Sequence, residues 1–311
     1  MRGRFFREWP VVLALGVVLV LLGVRAPSFF IWENIRSLLV SAAPLLVAAV
    51  GMTLVILTRN IDISIGSQLS ICGVVAGLLA RAGVPIGIVV VAAIACGAFM
   101  GAVNGALVTG LGLPSIVVTL AGMVSLRQAL GWYQEGKLVR GLSVDFQWFG
   151  MEQREGSWLI LGLAATVVLV FAFGLRFVAA GRAIYATGSD PEAARLAGIR
   201  PRAVVFAVFV TMGTLTGLAA LLNAVPLPYI DPMAGNGFEL KVIAPVVLGG
   251  VAISGGRGSL VGVLFGVALL GTMGRALVFL GTEAHWEKVV QGSIILLAVA
   301  LDALNNRKRQ R

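Results

Sequence analysis

Apolar stretches of about 20 residues recur along nearly the whole chain, separated by short polar, glycine or proline segments. As helices rising about 1.5 Å per residue, such stretches would cross the roughly 30 Å hydrocarbon core of a bilayer. Charged residues make up 12% of the chain, about half of their usual share in soluble domains. Because a water-exposed surface cannot be built from so few charges, the chain is predicted to be an all-α polytopic membrane protein.

The breaks between the apolar stretches predict about ten transmembrane helices in a single membrane domain that comprises residues 1–311. Their predicted bounds are residues 10–25, 35–57, 66–80, 85–108, 115–133, 158–176, 202–225, 238–253, 259–281 and 288–302. An even number of crossings places both termini on the same side of the membrane.

Basic residues are concentrated next to the ends of these helices. Three arginines lie within the first seven residues, and four basic residues lie within the last five. The positive-inside rule assigns the side that carries both termini to the cytoplasm, and the long segment 177–201 falls on the same side. The net charge of +10 is therefore interpreted as an orientation signal, and no nucleic-acid partner is expected.

An internal repeat is visible in the glycine spacing. Gly97, Gly101, Gly105 and Gly110 follow the pattern G-x3-G-x3-G-x4-G, and Gly258, Gly262, Gly266 and Gly271 follow it again. Upstream of each run lies the motif I-D-x-x-x-G, at residues 61–66 and 230–235. The copies start five predicted helices apart, an odd number, so the two halves, about 35–133 and 202–302, are predicted to be inserted in opposite orientations, as in many transporters.

Glycine is abundant, with 40 of 311 residues, and helix packing is the expected role of each glycine in the two runs. Small residues at every fourth position let helix backbones approach closely, where lipid provides no hydrophobic drive between helices. The residues assigned to packing are Gly97, Gly101, Gly105, Gly258, Gly262 and Gly266.

Between the two halves, a short segment predicts a two-turn helix outside the membrane, because a capping residue and proline begin it and glycine ends it. It reads Asp190-Pro191-Glu192-Ala193-Ala194-Arg195-Leu196-Ala197-Gly198. Glu192 and Arg195 share one face, whereas Ala193, Leu196 and Ala197 form a small apolar face that needs a partner. A helix lying on the lipid surface is the alternative, but such small residues would bury little area there.

The sequence Glu192-Ala193-Ala194 with Gly198 after it resembles the EAA loop by which permeases of ATP-binding cassette importers dock on their ATPases. Three further stretches resemble the permeases of ribose-type monosaccharide importers, most closely the rhamnose and autoinducer-2 branches. They are Gly51-Met52-Thr53 with Asn60-Ile61-Asp62-Ile63-Ser64-Ile65-Gly66-Ser67, then Asn104-Gly105, and Gly237-Phe238-Glu239-Leu240 with Val247-Leu248-Gly249-Gly250. Together the similarity covers most of residues 35–302.

This resemblance implies a type II importer fold, in which two permease copies or two paralogues surround a central pathway. It also implies cytoplasmic ATPase subunits that bind ATP and Mg²⁺, and a periplasmic sugar-binding protein. The chain itself is expected to bind no cofactor or metal and to be no enzyme. Its lysines lie in no G-x-x-x-x-G-K-[ST] phosphate loop, and its sole histidine, His285, has no second metal ligand at a suitable spacing.

Polar residues in the predicted membrane region are candidates for the solute pathway, namely Asn60, Asp62, Ser64, Asn104, Thr119 and Glu239. An ionised carboxylate at membrane depth is costly unless it faces water or a partner, which singles out Asp62 and Glu239. Asp62 is equally suited to cap the helix that follows. Glu239 fits a solvated mouth or an ion pair as well as a solute contact. Asn104 is favoured as a tie between helices over a partner for a sugar hydroxyl.

Three functions are consistent with these residues. The favoured one is the permease subunit of an ATP-binding cassette importer for a monosaccharide or sugar-like solute. A secondary transporter would use Asp62 or Glu239 as a proton or sodium site, which an inverted repeat would also permit. A membrane scaffold without a pathway would need only the glycine seams and a helix tie.

Overall fold

The computed structural model describes residues 2–279, 289, 292 and 293, and this part of the chain is all-helical with a single isolated β-bridge. Its helices are α1 (Arg2–Arg25), α2 (Trp32–Leu57), α3 (Ile65–Arg81), α4 (Ile86–Gly110), α5 (Ser115–Gln134), α6 (Gln153–Phe177), α7 (Ala179–Ser189), α8 (Pro191–Leu196), α9 (Pro201–Ala224), α10 (Phe238–Leu248) and α11 (Leu260–Phe279). Single 3₁₀ turns cover Pro27–Phe30 and Gln147–Gly150.

Within these described residues, six helices are long and apolar enough to cross a membrane. They are α2, α4, α5, α6, α9 and residues 260–277 of α11. Residues 9–25 of α1 and the 17-residue α3 are apolar but shorter. The predicted number of ten crossings is therefore not confirmed, and the last predicted crossing, 288–302, lies outside the described residues except for three positions.

The predicted crossing at residues 238–253 is wrong as a full crossing. Helix α10 has 11 residues and ends at Leu248, which gives it a length of about 16 Å, half of the hydrocarbon thickness. Gly249 follows the helix, and Gly250 has the left-handed φ of 84° that turns the chain. The apolar run continued past the end of the helix, so hydrophobicity alone overestimated its length.

The segment 177–201, predicted as a long loop with one short helix, contains two helices. Val178 adopts an extended conformation that separates α6 from the 11-residue α7. Helix α7 leads directly into α8. Two glycines, Gly181 and Gly188, and a low content of large apolar residues concealed this helix in the sequence.

The bundle has two ends, the α8 face and the loop face. At the first, the α8 face, the end of α2 meets the α7–α8 corner and residues 249–259, and Gly256 N–H donates to the Leu57 carbonyl at 2.9 Å. At the second, the loop face, residues 135–152 pack on residues 225–230. Val139 and Ile230 exchange two backbone hydrogen bonds of 2.9 Å there.

Helices α4 and α9 form the most extensive helix pair among the described residues. A methyl group on Gly97 would overlap the Gly213 carbonyl oxygen, one on Gly213 would overlap the Gly97 carbonyl oxygen, and one on Gly101 would overlap the Phe209 carbonyl oxygen. The two backbones therefore touch directly. Gly105 continues the seam against the side chains of α9. Gly213 supplies the α9 side of this seam and was not part of the spacing pattern.

Two glycines of the second run, Gly262 and Gly266, face the half-length helix α10. A methyl group on Gly266 would overlap the Pro245 carbonyl oxygen, and one on Gly249 would lie 2.5 Å from the Gly262 carbonyl carbon. Gly258 precedes α11 and faces Val251, so it packs in the connecting loop and not along the helix.

We expect Gly97→Val to destabilise the protein far more than Gly87→Val on the same helix. The first substitution forces α4 and α9 apart and should cost about 1–3 kcal/mol. A methyl group added at Gly87 would have no neighbouring atom within 4 Å. Thermal unfolding of the detergent-purified variants measures the difference. Equal melting temperatures would show that the backbone contact between the two helices is not required.

Candidate functional site

Helix α8 is a capped, exposed helix on the α8 face. The Asp190 carboxylate accepts hydrogen bonds from the backbone N–H groups of Glu192 and Ala193, at 3.0 and 3.1 Å. This side-chain cap satisfies two of the free donors at the helix start. Pro191 occupies the first turn, and Gly198 follows the helix with the left-handed φ of 83°. The helix has six residues and is thus shorter than the two turns predicted for 190–198.

The predicted apolar face of α8 is uncovered in this chain. Ala193, Leu196 and Ala197 are exposed, with 82% of Leu196 accessible to solvent. Arg195 pairs with Glu192 at 3.2 Å on the outer surface. Ala194 is the buried residue of the helix, which the sequence pattern did not indicate.

Four polar side chains form a buried cluster around Ser64, just before α3. The Asp62 carboxylate accepts hydrogen bonds from the Ser64 hydroxyl at 2.6 Å and from the Ser64 N–H at 2.9 Å. The Ser64 oxygen in turn accepts from Gln68 at 2.7 Å and from Asn104 at 2.9 Å. Gln68 also donates to Asp62 at 3.3 Å. All four residues are buried, so the cluster joins the 58–64 loop to α3 and α4.

This geometry bears on the two interpretations of Asp62. Its carboxylate closes a turn onto Ser64 and leaves the first N–H groups of α3 without a side-chain cap. Asp62 therefore organises the approach to the helix and does not cap the helix itself. Asn104 lies where it ties α4 to the loop. Both side chains use their polar atoms within the protein, as groups at membrane depth must.

Helix α5 holds Ile61, the loop residue just before Asp62. Thr119 donates from its hydroxyl to the Ile61 carbonyl at 3.2 Å and to its own helix at 2.8 Å, and the Ile61 N–H donates to the Ser115 hydroxyl at 3.3 Å. Asn60 bonds to Thr58 within its own turn and stays outside the Ser64 cluster.

Glu239 is only 8% exposed, so the predicted solvated mouth is wrong. One carboxylate oxygen pairs with Arg127 of α5 at 3.4 Å. The other carboxylate oxygen has no hydrogen-bond partner within the described residues, and it lies against Gly66, where a methyl group would overlap it. The start of α10 thus packs directly on the first turn of α3.

The two I-D-x-x-x-G motifs end against each other. A methyl group on Gly66 would overlap the Gly235 carbonyl oxygen, and one on Gly235 would overlap the Gly66 carbonyl oxygen. The Ser67 hydroxyl donates to the carbonyl of Met123, near the middle of α5. The starts of α3 and α10 therefore meet halfway along the bundle and run from there toward opposite ends.

A cavity of about 430 Å³ lies beside α10, between the first half of α2 and the second half of α11. Since α2 ends and α11 begins at the α8 face, the cavity is located toward the loop face. Its polar lining consists of Ser41, Asn223, Asn236, Lys241 and Arg275. Arg275 is held by three bonds, to the Ser41 hydroxyl at 2.9 Å and to the hydroxyl and carbonyl oxygens of Ser37 at 3.0 and 3.2 Å.

The residues proposed from the sequence as the pathway do not line this cavity among its described residues. The cavity lining was not predicted from the sequence, because its members come from four distant segments. Gln68 and Arg127 were not predicted either. Gln68 follows Ser64 by four positions on the same helical face, a spacing that could have revealed the contact.

Membrane-length helices, helix pairs joined by glycine, buried polar clusters and a polar cavity together define a membrane transport protein. The family described as branched-chain amino acid transport system, permease component, matches residues 34–299. The chain belongs to this permease family.

The curated relatives match over nearly the full length. The chain is 36% identical over 309 residues to the ribose import permease protein of Escherichia coli strain K12, covering 97% of this chain and 96% of the relative. It is 33% identical to the autoinducer 2 import system permease protein of Yersinia pseudotuberculosis, covering 95% and 84%, and 33% identical to that of Shigella flexneri, covering 95% and 86%. No solved structure matches the chain significantly. These relatives do not support a secondary transporter.

We expect Asp62→Ala to destabilise the protein more than Asp231→Ala, its counterpart in the second motif. The first substitution leaves Ser64 and Gln68 with unsatisfied buried donors, at about 1–3 kcal/mol each. Among the described residues the Asp231 carboxylate accepts one turn hydrogen bond, from the Met233 N–H at 2.8 Å. Thermal unfolding in detergent compares the two variants. An equal loss would mean that the Ser64 cluster contributes nothing beyond a turn.

Proposed function

We propose that this chain is the membrane-spanning permease subunit of an ATP-binding cassette importer for a monosaccharide or sugar-like solute. The observation that carries the proposal is helix α8, a capped helix whose apolar side chains are uncovered on one end of a membrane bundle. Such a face requires a protein partner. The three relatives, one named for ribose import and two for autoinducer 2 import, support the solute class.

The partners follow from this role. ATPase subunits would bind ATP and Mg²⁺ and would cover α8, while this chain carries out no chemistry. A second copy of the permease or a paralogue would complete the pathway, and a periplasmic sugar-binding protein would deliver the solute to the loop face. The α8 face and both termini would lie in the cytoplasm, with the bundle in the lipid of a bacterial inner membrane.

The inverted repeat is part of the proposal. In its favour, Asp62 and Asp231 occupy the same motif position and both accept a hydrogen bond from the N–H two residues later. Gly66 and Gly235, also equivalent positions, touch each other, as residues next to a pseudo-two-fold axis do. Two halves related in this way can rock about their contact and expose a site alternately to each side.

The cavity toward the loop face is proposed as this chain's outward solute site, in place of the buried residues around Ser64. Its volume lies in the range of small-molecule sites. Amide, hydroxyl and cationic side chains offer hydrogen-bond donors to a solute rich in oxygen. The Ser64 cluster is then a structural joint between the loop before α3 and the neighbouring helices.

We expect Leu196→Asp to abolish binding of the ATPase subunits while the permease still folds. A carboxylate in the apolar contact would be desolvated without a partner, and 82% of Leu196 is exposed in the free chain. Co-purification with the ATPase measures the loss. Leu111→Asp, at a comparably exposed position at the end of α4, serves as the control. Retained co-purification of the Leu196 variant would contradict docking through α8.

We expect Gly271→Trp to block uptake without preventing ATPase binding. Gly271 lines the cavity. A methyl group on it would meet only the side chains of Ala42 and Leu38, both at 3.8 Å, so the indole would fill empty space. Gly16→Trp on α1 is the control, because a methyl group added at Gly16 would have no neighbouring atom within 4 Å. Solute uptake into proteoliposomes that contain the complete complex is the measurement. Undiminished uptake by the Gly271 variant would exclude the cavity from the pathway.

The proposed function as a whole is tested by reconstituting the chain with its ATPase and binding protein. Uptake should require ATP inside and loaded binding protein outside. Uptake by this chain alone, driven by an ion gradient, would overturn the proposal.

A further inference from the structure

Arg59 occupies the turn between α2 and the loop that leads to the Ser64 cluster. Its φ of 64° is left-handed, a conformation that costs a residue with a side chain about 1 kcal/mol or more. Such a cost persists only where the surroundings fix the residue. The side chain of Arg59 supplies those contacts.

The guanidinium of Arg59 binds the end of α7. Its Nε donates to the Gly188 carbonyl at 2.6 Å, and one terminal nitrogen donates to the Ser189 carbonyl. Carbonyl groups in the last turn of a helix lack partners within the helix and carry partial negative charge. Arg59 therefore satisfies two of them at once, immediately before the chain enters α8 at Asp190.

Three glycines allow close backbone contact where the ends of α2 and α7 meet the loop before α11. A methyl group on Gly188 would overlap the Leu57 carbonyl oxygen, and one on Gly255 would overlap the side chain of Arg59. Gly256 has a φ of 69°, and a methyl group on it would overlap Ser189. The ends of α2 and α7 and the loop before α11 are therefore in backbone contact, and they are expected to move as one unit.

On the opposite side, Arg59 is three positions from Asp62. The intervening chain is held at Ile61 by Ser115 and Thr119 of α5, and Asp62 continues into the bonds with Ser64 and Gln68. A displacement of α7 would therefore have a short covalent path to the start of α3, halfway along the bundle. Among the described residues α8 also packs on α9, which gives a second route.

We infer that Arg59 is a positioning residue that transmits the motion of α8 to the start of α3. The inference rests on the proposed function, because it needs an ATPase that moves α8. Arginine suits this role because its planar fork reaches two carbonyl groups in fixed geometry, whereas a lysine ammonium carries the charge without the fork. One of the two bonds is exposed to solvent and the other is partly buried, so we expect them to contribute more to geometry than to stability.

The test is performed on the complete reconstituted complex, with Arg59→Ala, Arg59→Lys and the control Arg81→Ala, an exposed arginine in the last turn of α3. We expect all three variants to assemble with the ATPase and to unfold near the wild-type temperature. Solute transported per ATP hydrolysed should fall about tenfold in Arg59→Ala. Arg59→Lys should recover little of this loss, and Arg81→Ala should transport normally.

The outcomes separate this inference from the proposed function. If wild-type protein neither binds an ATPase nor shows ATP-dependent uptake, the proposed function fails. If the wild type is coupled and Arg59→Ala transports as much solute per ATP, only the role of Arg59 fails. Full recovery in Arg59→Lys would show that charge suffices and would overturn the two-carbonyl geometry. A loss of assembly in Arg59→Ala would reduce Arg59 to a structural residue.

Discussion

Direct contact between helix backbones is the constraint on which the rest of the structure depends. Lipid tails are as apolar as the side chains they surround, so helices in a bilayer are held by close packing and by internal hydrogen bonds. In this chain Gly97, Gly101 and Gly213 bring α4 and α9 together with no side chain between them. Gly249, Gly262 and Gly266 do the same for α10 and α11. With those helices fixed, the loops before α3 and α10 can enter the bundle.

Irregular backbone within a membrane protein must have its polar groups satisfied by the protein. The Ser64 cluster does so for the loop before α3, using side chains from two helices and the loop itself. The loop before α10 is anchored differently, since the Gly235 N–H donates to the Ser70 hydroxyl at 3.0 Å. Both loops are thus attached to α3. This helix is therefore the element on which both loops converge.

The fold class was predictable because the bilayer imposes length and hydrophobicity on every crossing. The glycine runs were visible because small residues at every fourth position have no other common explanation in a helix. The end of α10 at Leu248 was not predictable, because the following residues are equally apolar and turn for reasons of packing. Helix α7 was concealed because it is short and rich in small residues, and because its contacts, such as that of Arg59 with Gly188, join positions 129 residues apart in the chain. The same limit applies to the salt bridge of Glu239, whose partner Arg127 belongs to the other predicted half, and to the cavity lining.

The contact between Gly66 and Gly235 is a point at which the loops before α3 and α10 touch through their backbones. A bulky group at either glycine would press on its own loop and on the carbonyl oxygen of the other at the same time. In the inverted-repeat arrangement proposed above, a single wedge at this spot would therefore disturb both halves together.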